Sequence, residues 1–230
     1  MGVRRGRGRG VFITFEGIEG SGKTTQLAGA AKLLREEGYR VIETREPGGT
    51  PFAERIREML LDSPADSPSA EPIAPECEAS LILACRSQHV ARVIKPALRE
   101  GAVVLCDRFS DSTLAYQGYG RGLDLSVLRD LNRFATAGLT PDLTLLFDLP
   151  VPVGLGRRRR KETGQNRLDR ESPRFHERVR RGFLDLAAQH PRRIRVLDGR
   201  PDQETIAMQV RSIVRKFLQR RQRPVTRHHP

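Results

Sequence analysis

The sequence is poor in cysteine and aromatic residues and has no long apolar run. Its 230 residues include three Cys and no Trp, and aromatic residues make up 5% of the chain. Cys77, Cys85 and Cys106 belong to no Cys-x-x-Cys pair or Cys/His cluster, so we expect no structural zinc site. Because three cysteines cannot form a disulfide framework, we expect core positions for all three thiols and a reducing, cytoplasmic location. No apolar run is long enough to cross a membrane and no secretory signal follows the basic start, so no membrane partner is expected.

Positive charge is in excess and is concentrated in three short segments. Lys and Arg number 41 against 28 acids, which gives a formal net charge of +13. Residues 1–10 and 220–230 each contain four Arg and no acid, and residues 157–162 (RRRRKE) hold most of the remaining excess. Because the ends also lack interleaved aromatic residues, we expect two disordered basic tails around a single domain, 11–219, with no specific nucleic-acid partner. Tails that contact nucleic acid are the alternative.

Short apolar runs alternate with helical patterns along the chain. The predicted strands are Val11–Phe15, Tyr39–Thr44, Ala102–Cys106, Leu143–Leu149 and Arg193–Leu197. The predicted helices are Gln26–Glu37, Pro51–Leu61, Cys77–Arg99, Leu123–Ala137, Val153–Lys161, Pro173–Gln189 and Gln203–Leu218, with loops at 62–75 and 162–172. Such alternation is typical of an α/β fold whose parallel sheet is covered on both faces. Ligands bind beyond the carboxyl ends of such strands, where the glycine-rich turn, the Arg-Glu-Pro-Gly-Gly segment and Asp107-Arg108 all follow.

Residues 17–24, Gly-Ile-Glu-Gly-Ser-Gly-Lys-Thr, fit the phosphate-loop pattern between a strand and a helix. The glycines let backbone N–H groups surround phosphate oxygens, Lys23 places a positive charge on them, and Thr24 offers a hydroxyl to Mg²⁺. The residues predicted to bind ATP are Gly17, Ile18, Glu19, Gly20, Ser21, Gly22, Lys23, Thr24 and Thr25. The loop predicts ATP or GTP binding and leaves open whether water or a second substrate accepts the phosphoryl group.

Four further segments carry a resemblance to a known family. They are Thr44–Gly49 (TREPGG), Arg86–Val90 (RSQHV), Asp107–Gly118 (DRFSDSTLAYQG) and Gln165–Glu171 (QNRLDRE). Together with the phosphate loop, this set resembles bacterial thymidylate kinases. The resemblance implies a P-loop kinase fold with a five-stranded parallel sheet, helices on both faces and a lid at about 157–172. It also implies a homodimer that uses ATP and Mg²⁺ to phosphorylate dTMP to dTDP; a kinase of the same fold acting on another nucleotide or a deoxynucleoside is the alternative.

The resemblance assigns the phosphate and sugar of the acceptor to three residues. Arg45 and Arg108 each follow a strand end and would hold the acceptor phosphate, for which guanidinium groups are suited. Glu19 would take the sugar 3′-hydroxyl. The alternative for Arg45 is a surface pair with Glu46 or Glu43.

The resemblance also supplies contacts for the base and for the rest of the sugar. Arg86 would donate to a thymine carbonyl, and Tyr116 would stand against C2′ and disfavour a ribose hydroxyl; core packing is the alternative for Tyr116. Ser112 and Gln117 match polar contacts of the family. Ile82 departs from it, because family members often carry a stacking Phe at this position.

The remaining candidates concern the metal and the transition state. Asp107 ends an apolar strand and is predicted to hold Mg²⁺ with Thr24; a salt bridge to Arg108 or Lys23 is the alternative. Because Gly20 leaves the phosphate loop without an arginine, we expect a lid arginine to supply the missing cation, and an arginine introduced at position 20 to replace it in part. The catalytic candidates are Lys23, Asp107, Arg157, Arg158 and, as a rival to the last two, Arg167. An exposed basic helix is the alternative for this cluster.

Overall fold

The computed structural model describes residues 10–61, 71–160 and 166–222. Its strands are β1 (Val11–Glu16), β2 (Val41–Arg45), β3 (Val103–Asp107), β4 (Leu143–Asp148) and β5 (Ile194–Asp198). They form one five-stranded sheet in the order β2-β3-β1-β4-β5, and every pairing is parallel. The predicted five-stranded parallel sheet is confirmed.

The carboxyl ends of β1, β2 and β3 lie level with one another. The Cα atom of Asp107 is in register with Phe15 on one side and with Arg45 on the other. Strand β1 is buried at every position, as expected for the central strand of a sheet that is covered on both faces. The polar segments that follow these three strands therefore meet at one edge of the sheet.

Helices cover both faces of the sheet. They are α1 (Lys23–Glu36), α2 (Pro51–Leu61), α3 (Pro75–His89), α4 (Lys95–Arg99), α5 (Ser110–Thr113), α6 (Leu125–Thr136), α7 (Val151–Arg159), α8 (Pro173–Gln189) and α9 (Gln203–Gln222). Two π-helical segments, Val90–Ile94 and Leu114–Gly120, join α3 to α4 and continue α5, and a 3-10 turn covers Leu168–Arg170. Helices α1 and α9 share one apolar core with the sheet, whereas α8 and the second π-helical segment share another.

Some helix boundaries differ from the predicted ones. Helix α1 begins at Lys23 instead of Gln26, because Gly22 has a φ of +91° that ends the loop directly before the helix. Helix α9 continues to Gln222 instead of ending at Leu218. Helix α7 begins at Val151, two residues before the predicted start.

The longer last helix includes the first residues of the segment 220–230, which was predicted to be a disordered tail. Arg220 and Arg221 lie in α9, and Arg221 forms an ion pair with Asp142. The predictions made for residues 1–9, 62–70, 161–165 and 223–230 fall outside the described residues and stay predictions.

The segment from Ser110 to Gly120 is helical, which the sequence did not indicate. Every residue from Asp111 to Gly118 is buried, so the segment lacks the alternation of apolar and polar faces from which a surface helix is recognised. Its second part is π-helical, a geometry that is frequent at functional sites. The segment carries Ser112, Tyr116 and Gln117 directly beside the strand ends.

The prediction that all three cysteines lie in the core is wrong for one of them. Cys85 and Cys106 are buried, but Cys77 is exposed in the first turn of α3. Within residues 10–61, 71–160 and 166–222, no helix is long and apolar enough to cross a membrane.

Candidate active site

The phosphate loop has the backbone shape that anion binding requires. Gly17, Gly20 and Gly22 have φ values of +139°, +72° and +91°, and a Cβ atom on Gly17 would lie 2.5 Å from the carbonyl oxygen of Phe147. The Nζ atom of Lys23 donates to the carbonyl oxygen of Ile18 at 2.8 Å. Burial, and then the nearby Arg108, lower the pKa of Lys23 to about 8. The loop therefore holds a buried lysine whose ammonium group is bonded to the backbone of the loop itself.

The two predicted metal ligands contact each other. Oγ1 of Thr24 donates to Oδ2 of Asp107 at 2.5 Å, which joins the start of α1 to the end of β3. In the described part of the chain, no ion pair links Asp107 to Arg108 or to Lys23, so the alternative of a salt bridge is wrong. A hydroxyl and a carboxylate side by side are hard oxygen ligands of the kind that Mg²⁺ prefers.

Arg108 is held in an unusual conformation and points at Glu19. Its φ of +72° lies in the left-handed region, which is uncommon for a residue with a side chain. Its guanidinium donates to the carbonyl oxygen of Gly17 at 3.0 Å, to Oγ of Ser112 at 3.3 Å and to Oε1 of Glu19 at 2.9 Å. It also lies over the ring of Tyr116, 4.8 Å from the centroid. These contacts fix the direction of the guanidinium before any substrate binds.

Glu19 is an ionised carboxylate in a buried site. Its Oε1 atom also accepts a hydrogen bond from the hydroxyl of Tyr116 at 2.5 Å. Burial alone would raise the pKa of Glu19, but Arg108, His176, Lys23 and Tyr116 outweigh burial and lower it to about 2. Tyr116 is buried against Phe175 and Phe183 and also lines the cavity described below, so packing and a role in the site coexist.

Glu16 is part of this site and was not among the residues selected from the sequence. It is the last residue of β1, and its carboxylate accepts hydrogen bonds from the backbone N–H of Phe109 at 2.8 Å and from Oγ of Ser112 at 2.6 Å. Burial, and then the charge of Asp111, raise the pKa of Glu16 to about 8. Glu16 thus holds the residues on the C-terminal side of Arg108. The feature of the sequence that could have identified Glu16 is an acidic residue at the end of an otherwise apolar strand.

Arg45 lies at the exposed mouth of the site. Its Nη2 atom pairs with Oε2 of Glu54 at 2.8 Å. The predicted alternative, a surface pair with Glu46 or Glu43, is therefore wrong about the partner. Glu54 also accepts the backbone N–H of Gly49, so it joins α2 to the turn after β2. Arg45 is therefore attached to a partner that it can exchange for an anion.

Arg86 is almost entirely engaged by the protein. Its side chain is 1% exposed and donates to Glu46 at 2.7 Å, with further bonds to Thr113, Asn132 and the carbonyl oxygen of Phe109. A guanidinium has five N–H donors. Because these four contacts use four of them and Arg86 also lines the cavity, one N–H is left for a ligand.

One cavity of about 590 Å³ joins these groups. Thirteen of the predicted site residues line it: Glu19, Gly20, Lys23, Thr24, Arg45, Ile82, Arg86, Asp107, Arg108, Ser112, Tyr116, Gln117 and Arg158. Gly17, Ile18, Ser21, Gly22 and Thr25 do not line it; they lie in the phosphate loop and the first turn of α1. Gln117 donates to the buried Glu78 at 2.7 Å, so its amide is oriented from behind the cavity.

The three lid arginines selected from the sequence point to different places. Arg157 donates to the carbonyl oxygen of Gly199 at 2.9 Å, next to the start of α9. Arg167 donates to the carbonyl oxygen of Leu60 at 3.0 Å and pairs with Glu78. Arg158, which pairs with Asp169 at 2.8 Å, is the one of the three that lines the cavity.

The phosphate loop and α7 touch through two glycines. A Cβ atom on Gly20 would lie 2.1 Å from the carbonyl oxygen of Gly154, and one on Gly154 would lie 2.6 Å from the carbonyl oxygen of Glu19. The expectation that an arginine at position 20 could replace a lid cation therefore fails on steric grounds. The close approach was invisible in the sequence because the two glycines are far apart along the chain.

His176 is the second residue of the site that the sequence analysis missed. It lies on α8, is fully buried, and its Nδ1 atom is 3.2 Å from Oε2 of Glu19. The available signal was a polar residue on the apolar face of α8, which otherwise buries residues such as Phe175, Val179 and Phe183.

A phosphate loop, a carboxylate at the end of the neighbouring strand and two arginines at the same edge of the sheet are the arrangement of a P-loop kinase. The model of the family described as thymidylate kinase matches residues 15–210. The chain is 52% identical to the thymidylate kinase of Geobacter sulfurreducens over 92% of this chain and 100% of that one, and 51% identical to that of Thermomicrobium roseum over 92% and 98%.

A solved structure agrees with these sequence relatives. The crystal structure of thymidylate kinase from Ehrlichia chaffeensis matches with a TM-score of 0.71 and 35% identity, covering 90% of this chain and 99% of that one. The chain belongs to the thymidylate kinase family. It catalyses the ATP-dependent phosphorylation of dTMP to dTDP, and the predicted P-loop kinase fold, enzyme class and pair of nucleotide substrates are confirmed.

Proposed function

We propose that the cavity divides into a donor side and an acceptor side, with the phosphoryl group passing between Lys23 and Arg108. The observation that carries this division is that a single cavity contains both the phosphate-loop lysine and the buried Arg108–Glu19 pair. On the donor side, the backbone of residues 17–25 holds the phosphates of ATP and Lys23 neutralises them. Phosphoryl transfer needs little covalent chemistry from the protein, so positioning and charge supply most of the catalysis.

Thr24 and Asp107 are the residues that would hold Mg²⁺. Their contact at 2.5 Å supports this role, because it brings two hard oxygen ligands together at the edge of the phosphate loop. Mg²⁺ bound there supplies positive charge to the phosphate oxygens. Asp107→Asn should raise the Mg²⁺ concentration that gives half-maximal activity.

On the acceptor side, Arg108 and Arg45 hold the phosphate of dTMP and Glu19 accepts the sugar 3′-hydroxyl. Burial alone would lower the pKa of Arg108, but its electrostatic interactions with Tyr116, Glu19 and Asp107 outweigh burial and raise that pKa, so the charge of Arg108 is permanent. Arg45 exchanges Glu54 for the phosphate. The ring of Tyr116 lies over this region and would meet a ribose 2′-hydroxyl, which favours deoxynucleotides.

The base lies against aliphatic side chains and one arginine. Ile82, Leu61 and Leu168 line the cavity and cover a pyrimidine face without aromatic stacking. The remaining N–H of Arg86 donates to a thymine carbonyl. Ser112 acts on the acceptor through Arg108 and Glu16, and Gln117 contributes a polar contact from the wall.

Arg158 is the lid cation that stabilises the transition state. It lines the cavity already, and releasing Asp169 would bring its guanidinium to the transferring group. Arg157 holds the lid to the turn between β5 and α9. Arg167 holds it to Glu78.

ADP release from ATP and Mg²⁺ with dTMP, dUMP, UMP, CMP, GMP and AMP in turn tests the acceptor side. We expect dTMP to be the best substrate, and dUMP to be far better than UMP because only UMP carries the 2′-hydroxyl. Tyr116→Ala should reduce the preference for dUMP over UMP. Equal activity with UMP and dUMP in the parent enzyme would contradict the role of Tyr116.

We also propose that two chains associate through α2, α3 and α6. Val127, Leu131 and Phe134 form an exposed apolar stripe on α6, with Phe134 84% exposed, and Phe52 and Met59 are exposed on α2. Helix α3 packs against both helices and exposes small residues between them: Cys77, Ser80, Ala84 and Ser87. A groove of small side chains between bulky apolar ridges suits helix packing with a second copy. Light scattering should give the mass of a dimer, and Phe134→Glu should halve it.

We place the enzyme in the cytoplasm. ATP is plentiful there, and the buried thiols of Cys85 and Cys106 suit a reducing compartment, because burial raises the pKa of both and keeps them protonated. Cell fractionation followed by the kinase assay tests this location.

A further inference from the structure

Three buried polar atoms of the acceptor site lack a hydrogen-bond partner among the described residues, and all belong to one contact. They are Oε2 of Glu19 and the two ring nitrogens of His176. His176 is fully buried, and its Nδ1 atom lies 3.2 Å from Oε2 of Glu19. This distance is within hydrogen-bond range, so the two groups form one pair although the contact does not have the full geometry of a hydrogen bond. Buried polar groups without a partner are costly, which makes the pair a feature that requires an explanation.

The two oxygens of Glu19 have different surroundings. Oε1 accepts from Arg108 at 2.9 Å and from Tyr116 at 2.5 Å, and both of these residues line the cavity. Oε2 faces His176 and is fully buried. A substrate hydroxyl that binds Glu19 therefore meets it at Oε1, and the direction of the whole carboxylate depends on the group that holds Oε2.

The imidazole can hold Oε2 in only one tautomer. With the hydrogen on Nδ1, the ring donates to the carboxylate and Nε2 remains an unpaired acceptor. With the hydrogen on Nε2, a buried N–H donor would be unpaired and a lone pair would face an anion, which costs more. The ring also packs edge-on against Phe175, 5.5 Å between centroids, which limits its movement.

We propose that His176 is a positioning residue for the sugar of dTMP. Its Nδ1–H holds the buried Oε2 of Glu19, and this directs Oε1 towards the 3′-hydroxyl of the acceptor. The inference rests on the proposed contact between Glu19 and the 3′-hydroxyl. It adds that recognition of this hydroxyl depends on a histidine from α8, a helix far along the chain from the phosphate loop.

The test compares dTMP with 3′-deoxy-dTMP, which lacks the hydroxyl. The measured quantity is the ratio of their kcat/KM values in the parent and in variants. His176→Asn keeps a donor close to the position of Nδ1, whereas His176→Gln moves its donor towards the position of Nε2, so the two form a matched pair. We expect the ratio to fall about tenfold in His176→Gln, the size of one charge-assisted hydrogen bond, and to stay within about threefold of the parent in His176→Asn. His176→Phe should behave as His176→Gln does, and thermal melting checks that each variant folds.

Glu19→Gln separates the two levels of the argument. If Glu19→Gln lowers the ratio but His176→Gln and His176→Phe leave it unchanged, or if both substrates lose activity equally, His176 only supports the fold and the inference is overturned. If Glu19→Gln itself leaves the ratio unchanged, the proposed contact of Glu19 with the 3′-hydroxyl is wrong and the role of His176 falls with it. If His176→Gln or His176→Phe fails to fold, the other variant of the two is compared with His176→Asn.

Discussion

The acceptor centre and the lid both bring arginines to the same cavity, but they hold them in opposite ways. Arg108 is fixed by a backbone carbonyl, a hydroxyl and a carboxylate that all lie within a few residues of the strand ends. Arg158 has its ion-pair partner, Asp169, within the lid itself. A cation that binds substrate in the ground state gains from being fixed, whereas one that acts during transfer can be brought in by a segment that changes partners.

The largest expected effect lies on the lid side of this comparison. Arg158→Ala should lower kcat by about 10³-fold while KM for ATP and dTMP changes by less than about threefold, because the charge is needed in the transition state. Arg159→Ala is the matched control, since Arg159 is exposed and does not line the cavity. Steady-state kinetics with both substrates gives the split. A larger loss of kcat in Arg157→Ala or Arg167→Ala would move the role to that residue.

The next largest loss of activity is expected from a substitution in the phosphate loop. Lys23→Ala removes the buried cation beside the transferring group, and we expect kcat to fall by about 10²–10³-fold with an unchanged fold. The exposed Lys32 on the same helix provides the control substitution, Lys32→Ala. Activity of Lys23→Ala within about threefold of the parent at saturating ATP would refute the assignment.

Substitutions on the acceptor side should change affinity more than rate. Arg108→Ala should weaken dTMP binding by about 10²-fold, and Arg45→Ala by about tenfold, since Arg45 is exposed and must first leave Glu54. Binding of ATP should be nearly unaffected in both variants. Titration calorimetry with each nucleotide measures the difference, and equal losses for ATP and dTMP would place these arginines on the donor side.

The last expected effect is on stability and not on catalysis, and it concerns the residue behind Arg108. The pKa of Glu16 is about 8 in the folded chain and near 4.5 in the unfolded one, so between these pH values the unfolded state loses a proton that the folded state retains. The free energy of unfolding should therefore fall as pH rises from about 5 to 8, by on the order of a few kcal/mol from this group. Glu16→Gln cannot ionise and should show a flatter dependence. Urea unfolding of both proteins at pH 5 and pH 8 gives the comparison, and parallel curves would show that Glu16 ionises normally.

The two regions also differ in how far the sequence could predict them. The phosphate loop is contiguous, and its neighbours Arg45, Asp107 and Arg108 could be placed because parallel strands end at one edge. Glu16 and His176 each carried only a weak signal, a polar residue within an apolar pattern. Their roles could not be predicted, because their partners are about 90 to 160 residues away along the chain and only the folded chain brings them together.

The lid arginines show a different limit. Four consecutive arginines, 157–160, contain no pattern that separates one from the next, and only the direction of α7 turns Arg158 towards the cavity. The helical segment 110–120 escaped prediction for a related reason, because a segment buried on all sides shows no periodic contrast between apolar and polar residues.

The contact between Gly20 and Gly154 has a consequence for how such enzymes can change. Neither position tolerates a side chain while the other backbone stays in place, because each Cβ atom would overlap a carbonyl oxygen of the opposite segment. An arginine in the phosphate loop and an α7 docked this closely are therefore mutually exclusive. A single substitution at position 20 therefore cannot supply the cation from the loop while the backbone of α7 stays where it is; the carbonyl group of Gly154 has to give way first.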